Sequence, residues 1–462
     1  MKIKSVRTEF LDNFPIQANQ GGDGPFSFKY DLYSKVRFEI YDEKGNLEYR
    51  SQEYPNLITN RFLNKLANKR FSQVDDLRAY LVIGASASPK PEIKISSGTV
   101  KGHYAPGSTS DTHTFVLSTA DAGALANPPF SSIGTAGGPS WSDYDLVLAG
   151  GEYARVLSKI DNSTLAIDRP LSATTDVAFQ LWNVQADLPV ADRVGSSNTD
   201  FSSPAAVYSF DSSTGSYVFA KEKRIEYTVT GTSPINFSSF AFVDTDPTGT
   251  NPTNANVYEL VRDLSGNPIS LTVNPGKKIR IYHTLVVRVY KNFSNNTEVK
   301  YYDLSDNLKS TDTLPSTVEL SVTGSTPSDQ AASINSLFER LLSPASDLFN
   351  MDTGASLDVV ALNYSGTTWT ESSTHRKTFS SATLEPYAND SFKRSRSLLL
   401  TETEFVTTFH GLAFIFKKAG NEEFRMTVKF QPNESTAPTA QTKDDLHELK
   451  LFLTTNWYRK YS

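Results

Sequence analysis

Residues 277–290 read KKIRIYHTLVVRVY, and within them Ile279, Ile281, Leu285, Val287 and Val289 all fall on odd positions. A period of two puts those side chains on one face of an extended strand, so this run has to sit in a sheet that buries that face. The same alternation recurs in Val36-Arg37-Phe38-Glu39-Ile40-Tyr41 and in Arg224–Val229. Composition agrees with pattern. The 462 residues include 28 Phe and 21 Tyr but four Trp and three Met, and 99 are Ser or Thr. That is a strand-favouring load, far from the composition of a helical enzyme.

Several function classes drop out at once. With no cysteine there is no disulfide framework, thiolate zinc site, iron–sulfur cluster or cysteine nucleophile. With 45 basic against 51 acidic residues and a net charge of −6, the basic footprint of a duplex nucleic-acid binder is missing. Met1–Arg7 is followed by Asp12 and Asn13 before any apolar run, so no signal peptide is expected. No window approaches the roughly 20 apolar residues of a bilayer span, so no membrane insertion is expected either.

Along the chain, residues 1–24 form a polar start ending in Gly21-Gly22-Asp23-Gly24. Residues 26–54 read as a hairpin about the turn Asp42–Asn46. Phe62, Leu63, Leu66 and Phe71 then share one side of a helix that Thr59 or Asn60 would cap. Leu81-Val82-Ile83-Gly84 is a short buried strand. The stretch 95–205 carries Gly/Ser/Pro-rich patches between short strands such as Tyr144–Leu148 and reads as a surface-rich insertion with long loops. Ile334, Leu337, Phe338, Leu341 and Leu342 form a second amphipathic helix, ended by Ser343-Pro344.

The two halves have the pattern of copies. Phe62–Leu66 precedes Leu337–Leu341 by about 275 residues, and Leu81–Ile83 precedes Leu357–Val359 by about 276. Phe240-Ala241-Phe242 and Leu412-Ala413-Phe414, and likewise Ile279–Tyr290 and Leu449–Tyr458, lie only about 170 apart. An insertion of roughly 100 residues inside the first copy produces two such offsets, and 95–205 has that size. The expected fold is therefore mostly β, with one or two β-sandwich units, each preceded by a short amphipathic helix, plus a loop-rich β insertion. The expected divisions are 1–94 (arm, hairpin and helix), 95–205 (insertion), 206–305 (rest of the first sandwich) and 306–462 (second helix and sandwich).

No constellation of an enzyme stands out. None of the six histidines forms an HExxH string or an i, i+4 pair; His103 and His113 with Asp111 are the nearest to a metal set, and ordinary loop histidines outweigh it. Asp244–Gly249 opens like a calcium loop, but its twelfth position is Ala255. No GxSxG elbow, P-loop or dinucleotide fingerprint occurs. No catalytic residue, metal or cofactor is implied. The basic runs Lys221–Arg224 and Phe392–Arg396 read as solvated faces.

Asn56-Leu57-Ile58-Thr59, the helix to Phe71, and the strand Leu81–Gly84 breaking into Ala-Ser-Ala-Ser-Pro stand in a recognisable order, with Pro275–His283 later and Trp457-Tyr458-Arg459 at the end. In this order the chain resembles the structural proteins of tailed-bacteriophage virions, the tail, neck and fibre-associated β-sandwich proteins. The resemblance covers about a third of the chain. It implies a non-enzymatic virion component, made in the host cytoplasm, whose partners are copies of itself and neighbouring virion proteins. Residues 1–24 and the terminal strand, with Trp457, Tyr458 and Arg459, are the candidate subunit contacts; a terminal strand docked on the chain's own sheet explains those aromatics equally well. The alternative is a receptor- or glycan-binding tail protein, with or without polysaccharide hydrolase activity. A host surface glycan would then be the partner and Trp141, Tyr144, Trp182 and Trp369 the stacking platforms. A bacterial surface-layer component is a third reading, disfavoured by the absent signal.

Overall fold

The computed structural model describes residues 26–87, 92–95, 101–107, 113–118, 143–148, 151–247, 254–345, 348–349 and 354–461. The expected arm 1–24, Asp111 and Trp141 lie outside them. The fold is mostly β. Sixteen strands make one large sheet, and sheets of seven and five strands pack with it. Among the described residues no helix is long and apolar enough to cross a membrane.

Lys278–Tyr290 lies inside the large sheet, between Ser27–Tyr41 and Ser216–Thr228. Ile279, Ile281, Leu285, Val287 and Val289 are all buried, as their spacing requires. The terminal strand Glu448–Arg459 has the same setting. Ile279 pairs with Ile40 and Tyr227, and Leu449 pairs with Tyr301 and Leu400.

The equivalence runs through both halves. Phe240 faces Ile83 as Leu412 faces Ala361, giving offsets of 278 residues before the insertion and 172 after it. Ile235–Phe237 pairs with Leu271–Val273, and Thr407–Phe409 pairs with Gln441–Lys443 in the same register. The second copy also starts earlier than expected, at Asn292 rather than near 306. Its hairpin Asn292–Tyr302 and Leu308–Val322 repeats Ser27–Tyr41 and Leu47–Arg50, with the same register shift beside the turn. In each turn an aspartate Oδ1 accepts two backbone N–H groups: Lys44 and Asn46 on Asp42 (2.9 and 2.7 Å), Ser305 and Asn307 on Asp303 (3.0 and 2.9 Å). Each turn then passes through a left-handed residue, Gly45 or Asp306. We call residues 26–87 with 193–291 repeat 1, and 292–461 repeat 2.

One strand fuses the repeats. Residues 31–41 of Ser27–Tyr41 pair antiparallel with Lys278–Arg288 of repeat 1, while residues 27–32 pair parallel with Thr454–Arg459 of repeat 2. Phe26, Phe28, Tyr30 and Leu32 are buried in a single apolar cluster that runs from Phe38 to Trp457.

Thr59 caps the first helix, Asn60–Leu66, by accepting from Phe62 N, and Phe62, Leu63 and Leu66 are buried. Phe71 is not on that helix. It opens the next tight turn, Phe71–Arg78, and packs on Tyr30, Phe219 and Phe338. The second helix, Pro327–Ser336, carries a Thr326–Asp329 capping box and widens into a π turn over Leu337–Leu342, all six residues buried.

The described residues of the insertion are largely strand. Seven strands between Glu92 and Asn183 form their own sheet, and bonds between Gly102 and Val177 tie its far edge back to the start of the last strand. Its core, with Phe115 on Phe179 (4.9 Å), is separate from the large one. The strands are only four to seven residues long, which is why Ser, Gly and Pro between them dominate the sequence.

Candidate functional site

A buried polar cluster lies where the terminal strand, the first helix and the insertion converge. Arg459 is buried. Its guanidinium donates to Ile58 O (2.6 Å), Asn60 Oδ1 (2.7 Å) and Asp145 Oδ2 (3.0 Å), while Tyr461 OH donates to the same carboxylate oxygen (2.7 Å). Burial works against the Arg459 charge, but Tyr461 and Asp145 hold the guanidinium firmly protonated, and burial pushes the Tyr461 phenol well up. Gly151 passes so close to Tyr461 O that a Cβ would collide with it, and its φ of +81° is glycine territory.

Beside this cluster is a cavity of about 20 Å³ lined by Ser34, Asn56, Leu57, Trp182, Lys460 and Tyr461 among others. That is room for about one water molecule. Asn56 Oδ1 accepts from Ser34 Oγ (2.6 Å), while its buried Nδ2 has no protein partner and suits such a water. The arrangement is chemically a fastener: charge-assisted hydrogen bonds between three chain segments.

A second joint binds the insertion to repeat 1. Arg262 Nη2 donates to Glu92 Oε1 (2.7 Å) and Glu259 Oε1 (2.8 Å). Burial, aided by the Glu92 charge, pushes Glu259 up to about 7 despite Arg262. A third joint places Asp187 on Arg61 (3.0 Å) and on the amides of Asn254 and Ala255.

The sequence-derived candidates fall as follows. Trp457 is fully buried and its Nε1 donates to Leu63 O (3.1 Å), and Arg459 is the fastener just described, so both point into this chain rather than outward. Tyr458 is half-buried, with Arg169 over its ring. The strand they share has neighbours on both sides within the chain and is not a loose tether. Tyr144 is 4% exposed, too little to offer a ring face to a sugar. Trp182 packs on Tyr461 (5.0 Å), and Trp369 packs on Tyr364 (5.1 Å) under Lys429. These aromatics do not converge on one groove.

His103 pairs with Asp176 (2.7 Å) and His113 with Tyr104 (3.0 Å), on opposite faces of one hairpin. Among the described residues no three metal-ligating side chains come together. His283 is the hydrogen-bonded sheet residue its position suggests, with Arg78 at 2.8 Å from Nδ1. The run Phe392–Arg396 is only partly a solvated face: Arg396 is buried and donates to Ser343 O (2.5 Å) and Pro344 O (3.2 Å).

Asp145, Glu259 and Arg262 were missed in the sequence. For Asp145 and Glu259 the signal is a lone charge inside an apolar run, Tyr144-Asp145-Leu146-Val147 and Val257-Tyr258-Glu259-Leu260, where only a buried partner makes the charge tolerable; Arg262, next to Asp263, carries no such signal. No family model, no curated protein and no solved structure matches the chain.

Proposed function

We propose that the chain is a structural protein of a tailed-phage particle, in its tail, neck or fibre-attachment region, acting through self-assembly and contacts with neighbouring virion proteins. In this reading each repeat is a sandwich introduced by its short helix, and the insertion is an outward module. The observation that carries it is the fusion of two equivalent units by one shared strand into a single thiol-free core. Such a body folds in a reducing cytoplasm and holds its shape outside the cell without disulfides. The ordered series Leu57–Ile58, Thr59-capped helix and strand Tyr80–Gly84 supports the resemblance on which the reading rests.

The test is composition of the particle itself. Mass spectrometry of purified virions from the phage encoding the chain should find it at a fixed copy number per particle, and antibody labelling should mark the tail or neck. A chain confined to the lysate and absent from washed particles sinks the proposal. Deleting residues 1–20 should lower incorporation while leaving the melting temperature unchanged.

A further inference from the structure

The two repeats carry opposite charge. Repeat 1, residues 26–87 and 193–291, holds 20 Lys and Arg against 16 Asp and Glu, whereas residues 292–462 hold 16 against 21. The register shows where the reversal sits. Arg37 is replaced by Glu298, and Lys278, opposite Tyr41, is replaced by Glu448, opposite Tyr302.

On the outer face of repeat 1 the cations lie outside the carboxylates that pair with them: Lys278 and Arg280 meet on Glu226 (2.8 Å each), which is less exposed than either. Glu39 is 1% exposed beneath Arg37 and Arg50, while Arg50 is 57% and Lys278 38% exposed. The guanidiniums lie over aromatic rings, Arg37 on Tyr282 (3.7 Å) and Arg280 on Tyr41 (4.4 Å), which holds them flat against the sheet.

The matching end of repeat 2 is acidic and apolar. Lys300 and Lys450 on it are already engaged by Glu298 (3.1 Å) and Asp306 (3.6 Å). Leu304, Leu308 and Leu446 project to solvent from the turn and its two flanks. The residue equivalent to Leu304 in repeat 1 is Glu43, and Leu446 falls at the position of Gly276, whereas Leu308 has an exposed counterpart in Leu47.

We propose that the basic, aromatic sheet face of repeat 1 receives the acidic, leucine-bearing hairpin end of repeat 2 from a second copy of this chain. Complementary potential steers the encounter, and the exposed leucines supply the apolar centre that a charged rim surrounds. The contact joins two different surfaces, so it is heterologous. It propagates head to tail and closes into a ring or extends as a filament according to the rotation it imposes. This deepens the assembly reading above and rests on it for its setting.

The test uses the full chain and two charge-reversed forms, Arg50→Glu with Lys278→Glu on the basic face and Glu298→Lys with Glu448→Lys on the acidic face. By sedimentation velocity the parent should assemble at 50 mM NaCl and do so at least about tenfold more weakly at 500 mM, where screening is nearly complete. Each reversed form alone should stay monomeric. An equimolar mixture should assemble again, because each then offers the charge the other lacks. Circular dichroism checks that the variants fold; if a reversal unfolds the chain, Lys278→Gln and Glu448→Gln should each give a graded weakening instead.

A parent that is monomeric at both salts, variants that assemble like the parent, or a mixture of folded variants that fails to restore assembly would each overturn the pairing. Assembly indifferent to both reversals leaves the virion role standing, whereas absence from purified particles removes that role whatever the salt dependence.

Discussion

The two repeats cover the same sheet face in different ways. In repeat 1, Val82, Ala241 and Val243 point away from the main core, and Val147, Ala186 and Leu188 from the insertion and its return segment cover them. The register places Val360, Ala413 and Ile415 of repeat 2 at the same three positions. There the cover is Trp369 with a lattice of ion pairs. Lys417 (2.6 Å) and Arg376 (3.2 Å) meet on Asp358, and Arg425 joins Glu371 to Glu422. Asp358 occupies the position of Tyr80. A sheet face with no partner has to become amphipathic at its margins, and a face with a partner can stay apolar across.

The difference is sharpest when the cover is removed. Gly84 and Arg193 are paired neighbours, so a short turn can replace residues 85–192 without stretching the chain. The shortened protein should keep the large core but expose the Val82 face, bind a hydrophobic dye and self-associate even at 500 mM NaCl, where the charge-driven pairing of the parent is weak. A dye-silent, monomeric product with the parent's melting temperature would show that the insertion is not a cover. Next in size is the fastener. Arg459→Met leaves Asp145 charged and buried, which should cost about 3–5 kcal/mol in urea unfolding. The equivalent residue in repeat 1 is the apolar Val289, so adding Asp145→Leu should recover most of that loss. A double variant as unstable as the sum of its parts would contradict the fastener role.

How much of this was legible follows from range. Period-two strands and the Thr59 cap depend on residues close in sequence, the double offset compares short local patterns, and the strand expected over 277–290 runs from Lys278 to Tyr290. The offsets call for an insertion of roughly 100 residues at 95–205; the separate sheet occupies Glu92–Asn183, and Arg193–Ser197 already pairs with Tyr80–Gly84 of repeat 1. The hairpin that opens repeat 2 was missed because Asn292–Thr297 holds a single apolar residue, Phe293, and the return strand facing its far end carries the polar run Lys309–Thr313, leaving little apolar rhythm to read. Sequence leaves Trp457 and Arg459 between a subunit contact and the chain's own sheet, because an aromatic and a cation near a chain end suit either. Only the parallel pairing with residues 27–32, more than 420 positions away, turns them inward. The fasteners were illegible for the same reason: Asp145 and Arg459 are 314 residues apart.

Acid should separate the repeats further. His283 lies in the core of repeat 1, where burial and the Arg78 charge push its pKa well below the usual 6.5. A folded pKa below the unfolded one means full stability above about pH 6.5 and a loss as pH falls toward the folded value, at most about 1.4 kcal/mol per pH unit. The register puts Leu453 at this position in repeat 2. His283→Leu should therefore flatten the stability profile between pH 6.5 and 5, and an unchanged slope would assign the acid loss elsewhere. Asp358 acts lower on the scale. Burial alone would raise its pKa, but hydrogen bonds from Lys417 and Thr378 lower it. Its contribution is present above about pH 4 and lost below, and Asp358→Asn should cost about 1–3 kcal/mol at pH 7 while removing part of that acid limb.

The smallest effect tests the equivalence of the hairpin turns. Gly45 and Asp306 occupy the same left-handed position, with φ of +85° and +59°. Glycine adopts that conformation without steric penalty and aspartate tolerates it at some cost. Gly45→Asp should thus destabilise repeat 1 by less than about 1 kcal/mol, because nothing lies within 4 Å of a Cβ built there. Asp306→Gly should change stability by a similar amount in the opposite direction, reduced by the loss of the weak contact with Lys450 at 3.6 Å. Reciprocal shifts of that size would mean that the two turns share one geometry. A loss above about 2 kcal/mol for Gly45→Asp would mean that the turn of repeat 1 carries a constraint its counterpart lacks.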